Sequence, residues 1–153
     1  MYKHILVGTE GSELGDRALA HGFALAKNEG AKVTVVTVTE PWSALDLALA
    51  ASKHNSLNPN PNPLKWFEEM AAGVAKRILD AASAKAKDMG VDCDVVHVPN
   101  KLAGEGIIDI AQKTGCDLIV MASHGRRGID RMLLGSQAYE VLTHCKVPAL
   151  VVR

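Results

Sequence analysis

Two stretches of the chain carry residue types from which an anion site can be built. The first is Gly8-Thr9-Glu10-Gly11-Ser12, at the end of the apolar run HILVGT. The second is ASHGRRGIDRMLLGS at 122–136, where Gly125 and Gly135 are separated by nine residues and Ser136 follows. Glycine admits close backbone approach, Ser136 adds a hydroxyl, and the unpaired N–H groups of a helix's first turn favour an anion. Arg126, Arg127 and Arg131 lie on the intervening arc, where guanidinium groups can offset phosphate charge. A plain turn followed by a helix with Ser136 at its N-cap accounts for the same residues, and on local chemistry the two readings stand level. No Gly-Lys-Ser/Thr follows the glycines, and the first loop lacks Gly-x-Gly-x-x-Gly spacing. That leaves an adenine-nucleotide site of another α/β type.

Other residues carry less. His124 stands beside Gly125, and a loop imidazole can take a proton near pH 7. No carboxylate is placed by sequence to orient it. His4, His21, His54, His97 and His144 show no metal-ligand spacing, so no metal site is expected. Ser12 and Ser136 read as helix caps rather than nucleophiles. Magnesium is expected only as the companion of a triphosphate, held by phosphate oxygens and water.

The elements that must position these loops alternate between strand and helix. HILVGT at 4–9 is the first strand, and Ser12 caps a helix over Glu13–Glu29 that stops at Gly30. Leu14, Ala18, Gly22 and Leu25 give it a narrow apolar stripe. The β-branched run Val33–Val38 suits a strand. A long helix follows over about 64–89, with Met70, Val74, Ile78 and Ala81 on one face and Gly90 after it. Val91–Val98 alternates in part and reads as an edge strand. A helix over Gly106–Lys113 stops near Gly115. Leu118–Ala122 and Val147–Val152 are apolar strands on either side of a helix over about 136–145.

Five strands with intervening helices imply a doubly wound, three-layer α/β domain with a parallel sheet. Right-handed crossovers put every strand-to-helix loop at one end of it. One domain spans 1–153, and residues 40–63 form a long connection. Its first half can make a short Ala/Leu helix, and Asn58–Pro63 reads as extended and irregular. Such a connection fits a solvated linker as well as a lid or partner-binding segment.

Composition narrows the function classes. Apolar residues make up 48% and charged residues 22%, the balance of a globular core, and only six residues are aromatic. The 17 basic and 17 acidic residues cancel, so there is no general attraction for nucleic acid or an anionic membrane, and an anion site must be local. No apolar run is long enough to span a bilayer, and MYKHILVGTE lacks the features of a signal peptide. Cys93, Cys116 and Cys145 lack zinc or redox spacing and read as reduced thiols. A reducing cytoplasm is the expectation.

HILVGTEGSE and LIVMASHGRRGIDRMLLGSQAYEVLTHCKVPALVV resemble the first loop and the C-terminal signature of the universal stress protein family, and the likeness runs along essentially the whole chain. The resemblance implies a five-stranded sheet of the adenine-nucleotide hydrolase-like type, order 3-2-1-4-5, and a homodimer paired through Val147–Val152. It also implies ATP as ligand, with ADP or AMP as alternatives and Mg2+ as companion. ATP-binding members carry Gly, two residues, Gly, nine residues, then Gly-Ser or Gly-Thr. Here Gly125 and Gly135-Ser136 match, while Ala122 replaces the first glycine. Glu10 stands where the family usually has an adenine-contacting Asp. The resemblance places Gly8, Thr9, Val38, Met121, His124, Arg126, Arg127 and Gln137 around the same nucleotide. Its functional implication is a nucleotide-dependent stress-response module; a slow ATPase and a nucleotide-free dimeric interaction protein are the alternatives.

Overall fold

The computed structural model of this chain describes residues 1–53, 62–124 and 134–153. Its elements are β1 (His4–Gly8), α1 (Glu13–Glu29), β2 (Lys32–Thr39), α2 (Ala44–Lys53), α3 (Pro63–Met89), β3 (Cys93–Pro99), α4 (Ala103–Thr114), β4 (Leu118–Ala122), α5 (Ser136–His144) and β5 (Ala149–Val152). The strands form one parallel sheet in the order β3-β2-β1-β4-β5, as expected. Strand order therefore reverses between β1 and β4.

The pleat sends alternate residues to opposite faces, and both faces are covered, which is why the central strands are apolar throughout. On one face Ile5, Val7, Val33, Val35 and Val120 pack with Ala18, Leu19 and Phe23 of α1 and with Leu79, Ala82 and Ala86 of α3. On the other, Leu6, Val36, Ile119 and Met121 pack with Ile107, Ile110 and Ala111 of α4 and with Ala138 and Val141 of α5.

α1 buries the expected stripe at Ala18 and Gly22 and adds Leu19 and Phe23 to it, whereas α3 buries a row shifted from the one its periodicity suggests. In α1 the buried residues are Gly15, Ala18, Leu19, Gly22, Phe23 and Ala26, while Leu14 and Leu25 sit at the margin. In α3 they are Phe67, Ala75, Leu79, Ala82 and Ala86; Ala81 is exposed and Met70 is 47% exposed. Each helix has more apolar residues than one face can hold. In each helix the buried row combines small residues, which allow close approach to the β-branched sheet, with large ones such as Phe23 and Leu79 that fill the space beside them.

Boundaries also move. α4 begins at Ala103, three residues before the expected Gly106, and β5 at Ala149 rather than Val147. Pro63 is not in an irregular stretch: it opens α3, with Asn62 as N-cap accepting from Lys65 N–H at 3.0 Å. The rest of the Asn/Pro segment, 54–61, lies outside the described residues. The first half of the long connection is helical, as α2, and Trp42 before it stacks on Phe67 with centroids 4.1 Å apart. All three cysteines are free thiols, and burial pushes Cys93 and Cys116 up to about 11.

At the opposite end of the sheet, Asp117 fixes the start of β1. Its carboxylate accepts from Lys3 N–H at 2.8 Å and from His4 N–H at 3.1 Å. Burial works against the charged form, but these backbone N–H groups outweigh it and hold the carboxyl below its ordinary value of 3.8. The stabilisation is present above that value and is lost as pH falls through the depressed folded-state value. Asp117→Ala is expected to cost about 1 kcal/mol at neutral pH, discounted for partial exposure. Urea denaturation should show the difference shrinking as pH falls below 3.8 and through the depressed folded-state value.

Candidate functional site

Between β1 and β4 the connections leave for opposite faces of the sheet, so the loops after these strands flank a crevice at their carboxyl ends. The β1 side is a closed loop. Thr9 is buried: its N–H donates to Val36 O at 3.0 Å, and its carbonyl accepts from the Thr37 hydroxyl at 2.9 Å. Its hydroxyl accepts from the N–H of Gly11, which has a φ of 74°. Ser12 caps α1 by accepting from Gly15 N–H at 3.0 Å, and its hydroxyl donates to the Glu10 carboxylate. A β-carbon on Gly15 would lie 2.7 Å from the Thr9 hydroxyl and 3.5 Å from Glu10 Oε2. Glu10 is thus folded over the first turn of α1, where the helix dipole favours its charge.

The floor of the crevice is apolar. Gly8 lies where a β-carbon would meet the Ile107 side chain at 2.9 Å and Met121 Cβ at 4.0 Å. Val38 turns its methyls onto Gly106 of α4. Met121 belongs to the face covered by α4 and α5, whereas Ala122 follows it in the pleat and is turned towards the α1 face, 8% exposed. The two side chains therefore lie on opposite faces of the sheet at the end of β4.

On the β4 side, Ser123 N–H donates to Val152 O at 2.8 Å and Ser123 O accepts from Gly135 N–H at 2.7 Å. That bond sets where α5 begins. A β-carbon at Gly135 would stand 3.0 Å from Ser123 O and 3.2 Å from His124 Cα, so a side chain here would have to push its neighbours back by a few tenths of an ångström. His124 Nδ1 lies 3.1 Å from the Ser123 hydroxyl. Gly125, Arg126, Arg127 and Arg131 lie outside the described residues.

Ser136 is not the N-cap that the sequence suggested. Gly135 occupies that position, with φ −74° and ψ 158°, and Ser136 is the first helical residue. Its hydroxyl does not cap its own helix. Gln137 also behaves unexpectedly: its side-chain Oε1 accepts from Gly104 N–H of α4 at 2.8 Å. No local signal predicts this bond, because the partners are 33 residues apart and meet only when α4 and α5 pack.

The helix starts now separate into two kinds. Side-chain oxygens serve first-turn N–H groups of α1 (Ser12), α2 (Ser43, from Asp46 N–H at 3.1 Å), α3 (Asn62) and α4 (Gln137). Among the described residues, α5 has no such cap. The N–H groups of its first turn and the hydroxyl of the exposed Ser136 form a set of donors at this helix start. Such a set suits a compact anion with several acceptor oxygens, as in a phosphoryl group.

Comparison with known proteins agrees with this architecture. The model of the universal stress protein family matches residues 1–153. Universal stress protein MJ0577 of Methanocaldococcus jannaschii is 30% identical, over 100% of this chain and 96% of its own. The solved structure of MJ0577 superposes with a TM-score of 0.77 at 25% identity, covering 99% of this chain and 96% of that one. A universal stress protein in complex with cAMP has a TM-score of 0.68 at 24% identity, over 99% of this chain and 97% of that one. The universal stress protein of Archaeoglobus fulgidus in complex with dAMP has a TM-score of 0.66 at 18% identity, over 99% and 98% of the two chains.

The contact at Gly135 generates a prediction about the start of α5. Gly135→Val must push the helix away from Ser123 and His124, and valine is a poor N-cap besides. Urea denaturation should show a loss of about 1–3 kcal/mol, the range for inserting atoms into a packed contact. Gly135→Ala should lose less, since only one β-carbon has to be accommodated.

Proposed function

The chain belongs to the universal stress protein family, and on that premise we propose that it binds an adenine nucleotide and acts as a nucleotide-dependent binding module in a stress response. The uncapped first turn of α5 carries the reading. Its N–H groups and the Ser136 hydroxyl are the donors that a phosphoryl group would fill. Universal stress proteins of the same fold solved with cAMP and with dAMP support an adenine nucleotide as the ligand class. In this reading Gly8, Thr9, Glu10 and Val38 border the base, Met121 and Ala122 the ribose, and His124, Gly135 and Ser136 the phosphates. ATP is the proposed ligand, with Gly125, Arg126 and Arg127 on its distal phosphates and Mg2+ held by phosphate oxygens and water. ADP and AMP are the shorter alternatives.

The module acts as a homodimer in the cytoplasm, paired through the segment that ends in β5. β5 supports this as the last strand of the sheet, with Leu150 37% exposed. Among the described residues no helix is long and apolar enough to cross a membrane. A nucleotide-free interaction protein is the second reading. The observation in its favour is Glu10, whose carboxylate is already engaged by Ser12.

Calorimetry with ATP and with AMP tests the proposal. The parent should bind, and Ser136→Ala should weaken binding about tenfold, the effect of one hydrogen bond to a charged acceptor. Absence of binding at millimolar nucleotide would overturn it. Mass spectrometry of the purified protein, searching for released adenine nucleotide, separates the two readings directly.

A further inference from the structure

Gln137 joins two helix starts, and its amide has only one chemically sensible orientation. Gly104 N–H can only donate, so the atom 2.8 Å from it must be the carbonyl oxygen of the Gln137 side chain. The amide nitrogen then faces the other way, 3.4 Å from the Ser136 hydroxyl oxygen. That nitrogen carries two protons and no acceptor lone pair, so Ser136 Oγ is the acceptor in this contact. Its own proton is left to point elsewhere.

From this juxtaposition we infer that Gln137 is a positioning residue: anchored on Gly104 of α4, it turns the Ser136 hydroxyl into a donor aimed away from the protein, towards a phosphoryl oxygen. The inference rests on the adenine-nucleotide reading of the same site and adds the device that fixes the polarity of its donor. It also changes the role of Gln137, which the family resemblance placed in contact with the nucleotide. The chain of donation runs from Gly104 N–H to Gln137 Oε1, from Gln137 Nε2 to Ser136 Oγ, and from the Ser136 hydroxyl to the ligand. With one lone pair of Ser136 Oγ occupied by Gln137, the hydroxyl proton is free to turn to a phosphoryl oxygen beside the first-turn N–H groups of α5. The contact at 3.4 Å is long, and its contribution is direction more than strength.

Two measurements test this. In the unliganded parent, a long-range HNCO experiment should show a cross-peak from the Gly104 N–H to the Gln137 side-chain carbonyl. Its absence overturns the amide orientation whatever the protein binds. The second is a double-mutant cycle read by calorimetry with AMP as probe, using Gln137→Met, Ser136→Ala and the double variant. Gln137→Met keeps the length of the side chain and removes both hydrogen bonds. It should weaken AMP about three- to tenfold when Ser136 is present and less than about twofold when residue 136 is alanine.

Equal losses in both backgrounds would mean that Gln137 merely supports α4; that overturns the inference and leaves the nucleotide reading standing. A parent that binds no AMP overturns both the reading and the donor role built on it. If Gln137→Met fails to fold, Gln137→Leu replaces it in the cycle, and the cross-peak in the parent still decides the orientation.

Discussion

The 2.7 Å hydrogen bond from Gly135 N–H to Ser123 O is the constraint on which the site depends. It ties the first residue before α5 to the last turn of chain leaving β4, and it does so at a spacing that leaves little room for a side chain. Because Ser123 is itself held by Val152 O of the neighbouring strand, the start of α5 inherits the rigidity of the sheet. A helix begun by backbone contact rather than by a side-chain cap keeps its first N–H groups available. The same bond therefore builds the helix and leaves the N–H groups at its start without a side-chain cap.

Around that point the fold supplies contrast rather than more of the same. The β1–α1 loop also opens a helix beside the crevice, but Ser12 and Glu10 have filled its first turn from within the chain. α4 opens nearby as well, and Gln137 fills it from α5. The crevice between β1 and β4 thus holds three helix starts of which one remains uncapped among the described residues. Any preference for an anion has to come from this local bonding, because the chain as a whole carries no net charge.

Much of this was legible in the residues. Apolar runs without alternation marked strands buried on both faces, and Gly30, Gly90 and Gly115 marked helix ends, where each adopts a positive φ. Ser12 as a cap followed from its place before Glu13, since a cap is a bond between neighbours in sequence. The stripe of α1 was legible at Ala18 and Gly22, but which row of α3 faces the sheet was not. That helix is rich enough in alanine and other apolar residues that periodicity marks more than one row, and only packing against the sheet selects among them.

The sequence by itself determined the order of elements, the parallel sheet, and the presence of glycine and serine at the loops that matter. These depend on local conformational preference and on hydrophobic pattern, which neighbouring residues express without help. The tertiary structure alone decided that Gly135 rather than Ser136 caps α5, and that Gln137 serves α4 instead of its own helix. Those outcomes depend on which donors and acceptors are left over once helices pack on a sheet. A hydrogen bond across 33 residues has no trace in spacing or composition, because it exists only where two surfaces meet.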